Sequence, residues 1–409
     1  MPIWSEDILK NSLLQSRRAM YDIIIAGGGP AGSIAAERAT KNGLSVLVLE
    51  KEAYPRDKAC GGGVSQKALE VIGGIDKGLV EREIFGARIF LHDYQNFTGR
   101  LGSRVAITTM RRDLDHWLVN RAEDSGALVH DEDPVKDVTF SKDCVEVVTP
   151  KNRYRSRMIV GSDGVNSTVA RKSGIRTRWG SDIGLCLETE VELGDTLVEE
   201  SVGTDITEFY FRGMWGYGWV FPKKDRLSIG IGELISQVHK PKDQFMRFVR
   251  DISLQKKIDL EDRITRINSH LLPLGGFGRR IHGERVILAG DAAGFVDPFI
   301  GEGLYYAVKS GEIAADVAVL AVEKNDFSRN FLAGYATKCE DAFVSDLKSA
   351  MRFARFAYGD LDRFLRILRS DRRLFHEYLR TVRGDRTYAG FNRWCALRSP
   401  VTFLKLVSG

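Results

Sequence analysis

Cysteine is scarce and scattered in this chain: Cys60, Cys144, Cys186, Cys339 and Cys395 are five in 409 residues, an odd number with no C-x-x-C spacing. That excludes a disulfide framework and a zinc knuckle, so no metal is expected and a reducing, cytoplasmic setting is. No uncharged apolar run approaches the roughly 20 residues of a membrane span, and the first residues carry no apolar signal core. Repeats at a solenoid period and low-complexity tracts are also missing, which sets aside arrays, fibres and disordered chains. Over most of the chain there is no excess charge of either sign. The net +5 comes from residues 341–409, with 14 Lys and Arg against 7 Asp and Glu, while the preceding residues hold 46 against 48. This basic tail interleaves arginines with apolar residues and shows no recognition motif, so nucleic acid is not an expected partner.

What is present is dense in glycine near the start. Residues 1–20 have apolar positions at helical spacing, which predicts a short helix unless translation begins at Met20. From Tyr21 the text "YDIIIAGGGPAGSIAAERATKNGLSVLVLEK" reads as strand, glycine turn, helix and a second strand over Leu44–Leu49. In its G-x-G-x-x-G, Gly27 makes the tight turn, Gly29 lets a pyrophosphate approach and Gly32 permits close helix packing. The helix N-terminus attracts phosphate, and Glu50 is placed to accept hydrogen bonds from a ribose. With strand, helix and acidic terminus in register, dinucleotide binding is expected. Whether the dinucleotide is FAD or a nicotinamide stays open on this motif alone.

Three later segments extend the pattern: "TTMRRDLDHWL" with Arg111, "MIVGSDGVNSTVARK" with Asp163 and Gly164, and "RVILAGDAAGFVDPFIGEGLYYAVKSG" with Gly290 and Asp291. This order resembles the FAD-containing aromatic-hydroxylase superfamily from Gly27 to about Ala321. The resemblance implies FAD as cofactor, with Asp291 at the ribityl chain beside Gly290, Arg111 and Asp163 near the FAD, and the loop through Gly303 and Leu304 facing the flavin ring. Asp163 has a second reading, as the cap of the helix that follows it. Residues 180–236 carry alternating, aromatic-rich text that predicts antiparallel strands. The expected fold is α/β. A Rossmann-like FAD-binding domain is assembled from 20–80, 100–175 and 270–330, an inserted antiparallel β-sheet substrate domain from 81–99 and 176–269, and a C-terminal helical basic region from 331–409.

Within that insertion stand Tyr217-x-Trp219-x-Phe221-Pro222 and Gly230-Ile231-Gly232. Together with Cys60-Gly61-Gly62-Gly63 and "GDAAGFVDPFIGEGL", they resemble the geranylgeranyl reductase family, flavoenzymes that saturate isoprenoid double bonds. The turn reads Phe299-Ile300-Gly301-Glu302-Gly303 where many archaeal lipid reductases resemble D-P-x-T-G-G-G, and this form looks more like the chlorophyll-pathway reductases. The particular isoprenoid is therefore left open. The aromatic signature also resembles the W-x-W-x-I-P of flavin halogenases, so a monooxygenase or halogenase is the first rival and a non-catalytic FAD-binding electron carrier the second.

The resemblance implies a polyprenyl substrate, and Tyr217, Trp219 and Phe221 share one strand face as an apolar wall for it, where pattern alone reads sheet packing. Cys60, Gly61 and Gly63 are expected against the flavin. Cys60, or a water it holds, is the candidate catalytic group that supplies or positions a proton while flavin N5 supplies hydride. Its bland alternative is packing under the ring. The glycine turn at Gly301 to Gly303 opens a helix whose N–H groups would stabilise negative charge on the reduced flavin. The other four cysteines read as small core residues, and His116 and His376 as surface residues. No second nucleotide fingerprint is present, so NAD(P)H and ferredoxin both stand as electron donors. The arginines of the tail, interleaved with Phe353, Phe356, Leu361, Phe364, Leu365, Leu368 and Leu374, predict peripheral contact with a membrane surface.

Overall fold

The computed structural model describes residues 20–91, 95–212 and 215–398. The helix expected ahead of Tyr21 falls on residues outside that description. The apolar run after Met20 forms the strand Met20–Ala26, paired in parallel with Arg153–Gly161 on one side and Val46–Leu49 on the other. Ile23, Ile24 and Ile25 are all completely buried, as a central parallel strand covered on both faces requires. The second strand starts at Val46 rather than Leu44 because the Leu44 amide still donates to Ala39 O and closes the preceding helix. Leu128–His130 and Val286–Leu288 extend the parallel sheet, and an antiparallel hairpin over residues 137–148 pairs with Arg153–Gly161. The helices Pro30–Lys41 and Leu304–Lys324 contribute to the core of this layer.

The second sheet has seven strands in the order Asn268–Pro273, Ile183–Glu192, Arg226–Leu234, Gly216–Pro222, Ile206–Tyr210, Gly86–Phe90 and Asn96–Arg100. Its pairs are antiparallel except Ile206–Tyr210 with Gly86–Phe90, two strands separated by more than a hundred residues and so not bound to hairpin geometry. Two segments depart from the expected boundaries. Asn268–Pro273 is an edge strand of this sheet and carries it past residue 269. Arg82–Ile84 instead joins Ala106–Thr108 and Gly63–Ser65 in a small three-stranded sheet.

One face of the seven-stranded sheet is covered by the helix Pro241–Lys256, whose Phe245, Phe248, Val249 and Ile252 pack on Leu187, Val191, Val220 and Ile229. The alternate residues turn the other way. After Arg329 the described chain is helical to Arg398. The apolar residues that interleave with the tail's arginines turn inward. Phe353, Leu361, Phe364, Leu365 and Leu368 are buried in one cluster with Ala87, Ile89, Phe211 and Phe299, and Phe356 and Leu374 pack against it. Their apolar area is used inside the protein. Arg352, Arg355, Arg366, Arg369, Arg372 and Arg373 stay exposed. Among the described residues no helix is long and apolar enough to cross a membrane.

Candidate active site

The strand Met20–Ala26 ends at Gly27, whose φ of +96° and a would-be Cβ only 2.5 Å from Ser162 O admit no side chain. The helix Pro30–Lys41 then opens at Gly29 with no side-chain cap and no acidic residue in its first turn, so its leading N–H groups are open to an anion. Glu50 is buried beside this turn. Its Oε2 accepts from Gly28 N at 2.9 Å, and its Oε1 from Lys51 N at 2.9 Å and Glu52 N at 3.2 Å.

The loop after Glu50 carries three groups into the interior. Arg56 lies 3.2 Å from Asp115 Oδ2, and Asp115 also holds Arg111 through two bonds, Nε to Oδ1 at 2.8 Å and Nη2 to Oδ2 at 3.0 Å. Burial alone would raise the Asp115 pKa, but Arg111 and then Arg56 hold it below the ordinary carboxylate range. Burial works against the charge on Arg111, while Asp115 and the neighbouring Cys60 sulfur more than offset it and raise its pKa. Two residues further on, Lys58 Nζ lies 3.5 Å from Asp291 Oδ2, which His270 Nε2 approaches at 3.1 Å. Against its burial, Lys58 first and then His270 keep the Asp291 carboxyl well below its usual range. Burial in turn pushes His270 toward its neutral form.

Cys60 follows, at the wall of an apolar cavity of about 270 Å³. Ten of the candidate residues line that one space: Cys60, Gly61, Gly63, Arg111, Asp291, Gly303, Leu304, Tyr217, Trp219 and Phe221. Phe209, Phe211, Phe375, Tyr378 and Leu379 complete its apolar side, so the C-terminal helices form part of the wall. A Cβ on Gly61 would lie 2.9 Å from both Phe221 and Trp219 Nε1, so this glycine lets the Cys60 loop rest on the aromatic strand. Trp219 itself lies flat across the neighbouring strand. It stands opposite Gly230, where a Cβ would come within 2.0 Å of the indole ring. The glycines after the aromatic signature are thus the floor on which the tryptophan lies.

Across the cavity the chain turns from Asp297 into the helix Leu304–Lys324. Asp297 Oδ1 accepts from Phe299 N at 2.8 Å and Ile300 N at 3.1 Å, and burial, opposed by Lys67, pushes its carboxyl up to about 6. Glu302 accepts from the Ser65 hydroxyl and pairs with Lys67 at 2.7 Å. Tyr217 donates its hydroxyl to Ile300 O, tying the aromatic strand to this turn. The helix begins at Gly303 with no side-chain cap, and Gly303 and Leu304 line the cavity.

The remaining candidates lie elsewhere. Gly27, Gly29, Gly32 and Glu50 gather about the first turn and do not line the apolar cavity, which this turn reaches through Pro30. Gly290 donates its N–H to Ser310 Oγ at 2.9 Å. The Asp163 carboxylate accepts from Thr168 N at 2.7 Å and Val169 N at 3.1 Å, as a cap of the following helix does. Sequence reasoning missed Arg56, Lys58, His270, Cys186 and Glu188. The alternating cations in "YPRDKAC" were a signal for the first two. Cys186 and Glu188 were hidden in "LCLETEVE", whose alternation resembles a strand with a solvated face.

That face is roofed. Cys186 lines the apolar cavity, and burial raises its thiol to about 12. Glu188 lines both this cavity and a polar one of about 720 Å³, which share Lys58, Cys60, Arg111 and Glu188 in their walls.

The pattern of the FAD binding domain family matches residues 20–343. Digeranylgeranylglycerophospholipid reductase 2 of Methanopyrus kandleri is 30% identical over 389 residues, covering 89% of this chain and 93% of its own. Digeranylgeranylglycerophospholipid reductase 1 of the same organism is 32% identical over 350 residues, covering 82% and 90%. This chain belongs to the geranylgeranyl reductase family of FAD-dependent oxidoreductases. A geranylgeranyl bacteriochlorophyll reductase-like protein of Thermoplasma acidophilum has the same fold, with a TM-score of 0.78 at 23% identity over 95% of this chain and 98% of that one. A flavin-dependent brominase shares the fold at a TM-score of 0.72 and 20% identity, covering 93% and 99%. FAD is the cofactor of this reductase-family chain, and the residues present fit it. The uncapped helix at Gly29 suits its pyrophosphate, and the uncapped helix at Gly303 faces a cavity bounded by Asp291 and Arg111.

Proposed function

We propose that this enzyme reduces carbon–carbon double bonds in a geranylgeranyl-type polyprenyl lipid, of the digeranylgeranylglycerophospholipid class named for its relatives. The observation that carries the reading is Cys60, which reaches an apolar, aromatic-lined cavity from the same loop that brings Lys58 to Asp291. Reduced FAD, when bound, supplies hydride with its two electrons. An isolated alkene has no carbonyl to polarise, so a proton must arrive with the hydride and water must be kept out. Cys60 Sγ holds that proton at the cavity wall. Trp219, Phe221 and Tyr217 orient the prenyl chain, and the C-terminal helices exclude water with Phe375, Tyr378 and Leu379. Gly61, Gly63, Gly303 and Leu304 bound the flavin end, where the helix N-terminus favours negative charge. Asp291 and Arg111 position the cofactor, and Gly27, Gly29, Gly32 and Glu50 hold its nucleotide.

The test is an anaerobic single turnover with chemically reduced enzyme and a digeranylgeranylglycerophospholipid. Flavin reoxidation together with a product heavier by two hydrogens supports the reading. A flavin that stays reduced until oxygen is admitted refutes it in favour of the halogenase or monooxygenase chemistry found elsewhere on this fold.

A further inference from the structure

We infer that Glu188, a buried carboxyl standing between the apolar and the polar cavity, holds the proton that restores Cys60 after each double bond is reduced. This rests on the reading of Cys60 as the proton donor. Glu188 is 3% exposed and shares with Cys60 the walls of both cavities. Its Oε1 accepts from Asn268 Nδ2 at 2.9 Å, while its Oε2 is buried with no hydrogen-bond partner among the described residues. An ionised carboxylate in that position would be costly to desolvate, whereas a neutral carboxyl is tolerated and has a hydrogen to give.

The surrounding charges leave it unneutralised. On its own strand stand Cys186 and Glu190; the loop before Gly61 brings Lys58 and Cys60, the neighbouring strand Asn268 and His270, the turn after Pro222 Lys223, and the helix at its start Arg111. Lys223 is paired with Glu190, Lys58 and His270 with Asp291, and Arg111 with Asp115. Burial first, then the charge of Glu190, raises the Glu188 pKa to about 7 against the pull of the Asn268 amide, Lys223 and the Cys60 backbone N–H. At neutral pH a substantial fraction of Glu188 is therefore protonated.

The balance is simple. Each reduction adds one hydride, which reduced FAD supplies, and one proton, which leaves Cys60 Sγ; the π bond breaks and two C–H bonds form. The thiolate left behind takes the proton of Glu188, and the Glu188 carboxylate takes one from water in the polar cavity. Thiol and carboxyl are restored without opening the apolar cavity to water. Glu188 acts through Cys60 and is a positioning, proton-holding residue.

Glu188→Gln in the FAD-loaded enzyme is the test, with digeranylgeranylglycerophospholipid and excess chemical reductant under anaerobic conditions. The first double bond is expected to disappear at the wild-type rate, because it draws only on the proton that the proposed function assigns to Cys60, while later ones slow by roughly 10²-fold and product stalls at one added pair of hydrogens. In the wild type the later steps slow as pH rises through about 7. Infrared difference spectra of the wild type should show a protonated-carboxyl C=O band titrating in the same range and missing from the variant. Should Glu188→Gln not fold, Asn268→Ala removes the donor to Oε1, and both band and rate limb move to higher pH. Unchanged rate and product distribution in Glu188→Gln, no titrating band, or an unmoved limb in Asn268→Ala overturns the inference and leaves the proposed function standing. A wild type that reduces no polyprenyl double bond overturns both.

Discussion

Gly230→Ala places a methyl group where the Trp219 indole lies. The added Cβ would meet Trp219 Cζ2 at 2.0 Å, Cε2 at 2.4 Å and Cη2 at 2.5 Å. To regain an ordinary carbon–carbon separation the ring must retreat by roughly 1.5 Å. Trp219 is 6% exposed and braced by Phe221 and Tyr217, so it has only the apolar cavity to move into. Overpacking of this kind costs about 1–3 kcal/mol, seen as a fall of a few degrees in Tm. Activity should suffer more if Trp219 orients the prenyl chain as proposed, because a displacement of about 1 Å at such a wall can cost roughly 10² in rate. Calorimetry and anaerobic turnover of the FAD-loaded variant measure the two effects. Gly180→Ala, at a glycine with no heavy atom within 4 Å of its would-be Cβ, is the control and should match wild type. In a Trp219→Leu background, with the indole gone, Gly230→Ala should cost markedly less, a coupling that a double-mutant cycle resolves. Wild-type stability and turnover in Gly230→Ala would refute the view that the glycine strand is the floor for this tryptophan.

Cys60→Ser should retain FAD and lose roughly 10² or more in the rate of double-bond reduction, read by stopped-flow reoxidation; full turnover would remove the donor role. Asp115→Asn leaves Arg56 and Arg111 buried without their shared counter-ion and should destabilise the fold by about 3–5 kcal/mol in denaturant titration. The pH dependence has a definite sign. With its folded-state pKa below the unfolded value near 3.9, Asp115 stabilises fully above that value and loses its contribution as pH falls through the folded one. Acid unfolding of Asp115→Asn should lack that part of the slope. The exposed arginines of the tail should give sedimentation with vesicles containing anionic lipid that weakens with salt, at about 1 kcal/mol per engaged charge; binding independent of lipid charge would show that they do not meet a membrane.

Local chemistry was enough to read the nucleotide turn. Gly27, Gly29 and Gly32 act through the backbone of one short segment, and Ile23 to Ile25 announce a strand covered on both faces without reference to anything distant. The aromatic signature was legible as a face, because residues two apart on a strand point the same way whatever lies opposite. What lay opposite was decided by tertiary structure. Only the pairing of Trp219 with Gly230 shows why the glycines follow the aromatics. Only packing shows that the apolar half of the arginine-rich helices joins the core and, at Phe375, Tyr378 and Leu379, the cavity wall. The partners Lys58, His270 and Asp291 come from three separate segments, and no spacing in the chain relates them. Glu188 makes the point most sharply. Alternating carboxylates on a strand imply water on that face, and the sequence determined the alternation; the loop bearing Cys60 roofs the face, and that burial turns a surface charge into a group that holds a proton near neutrality.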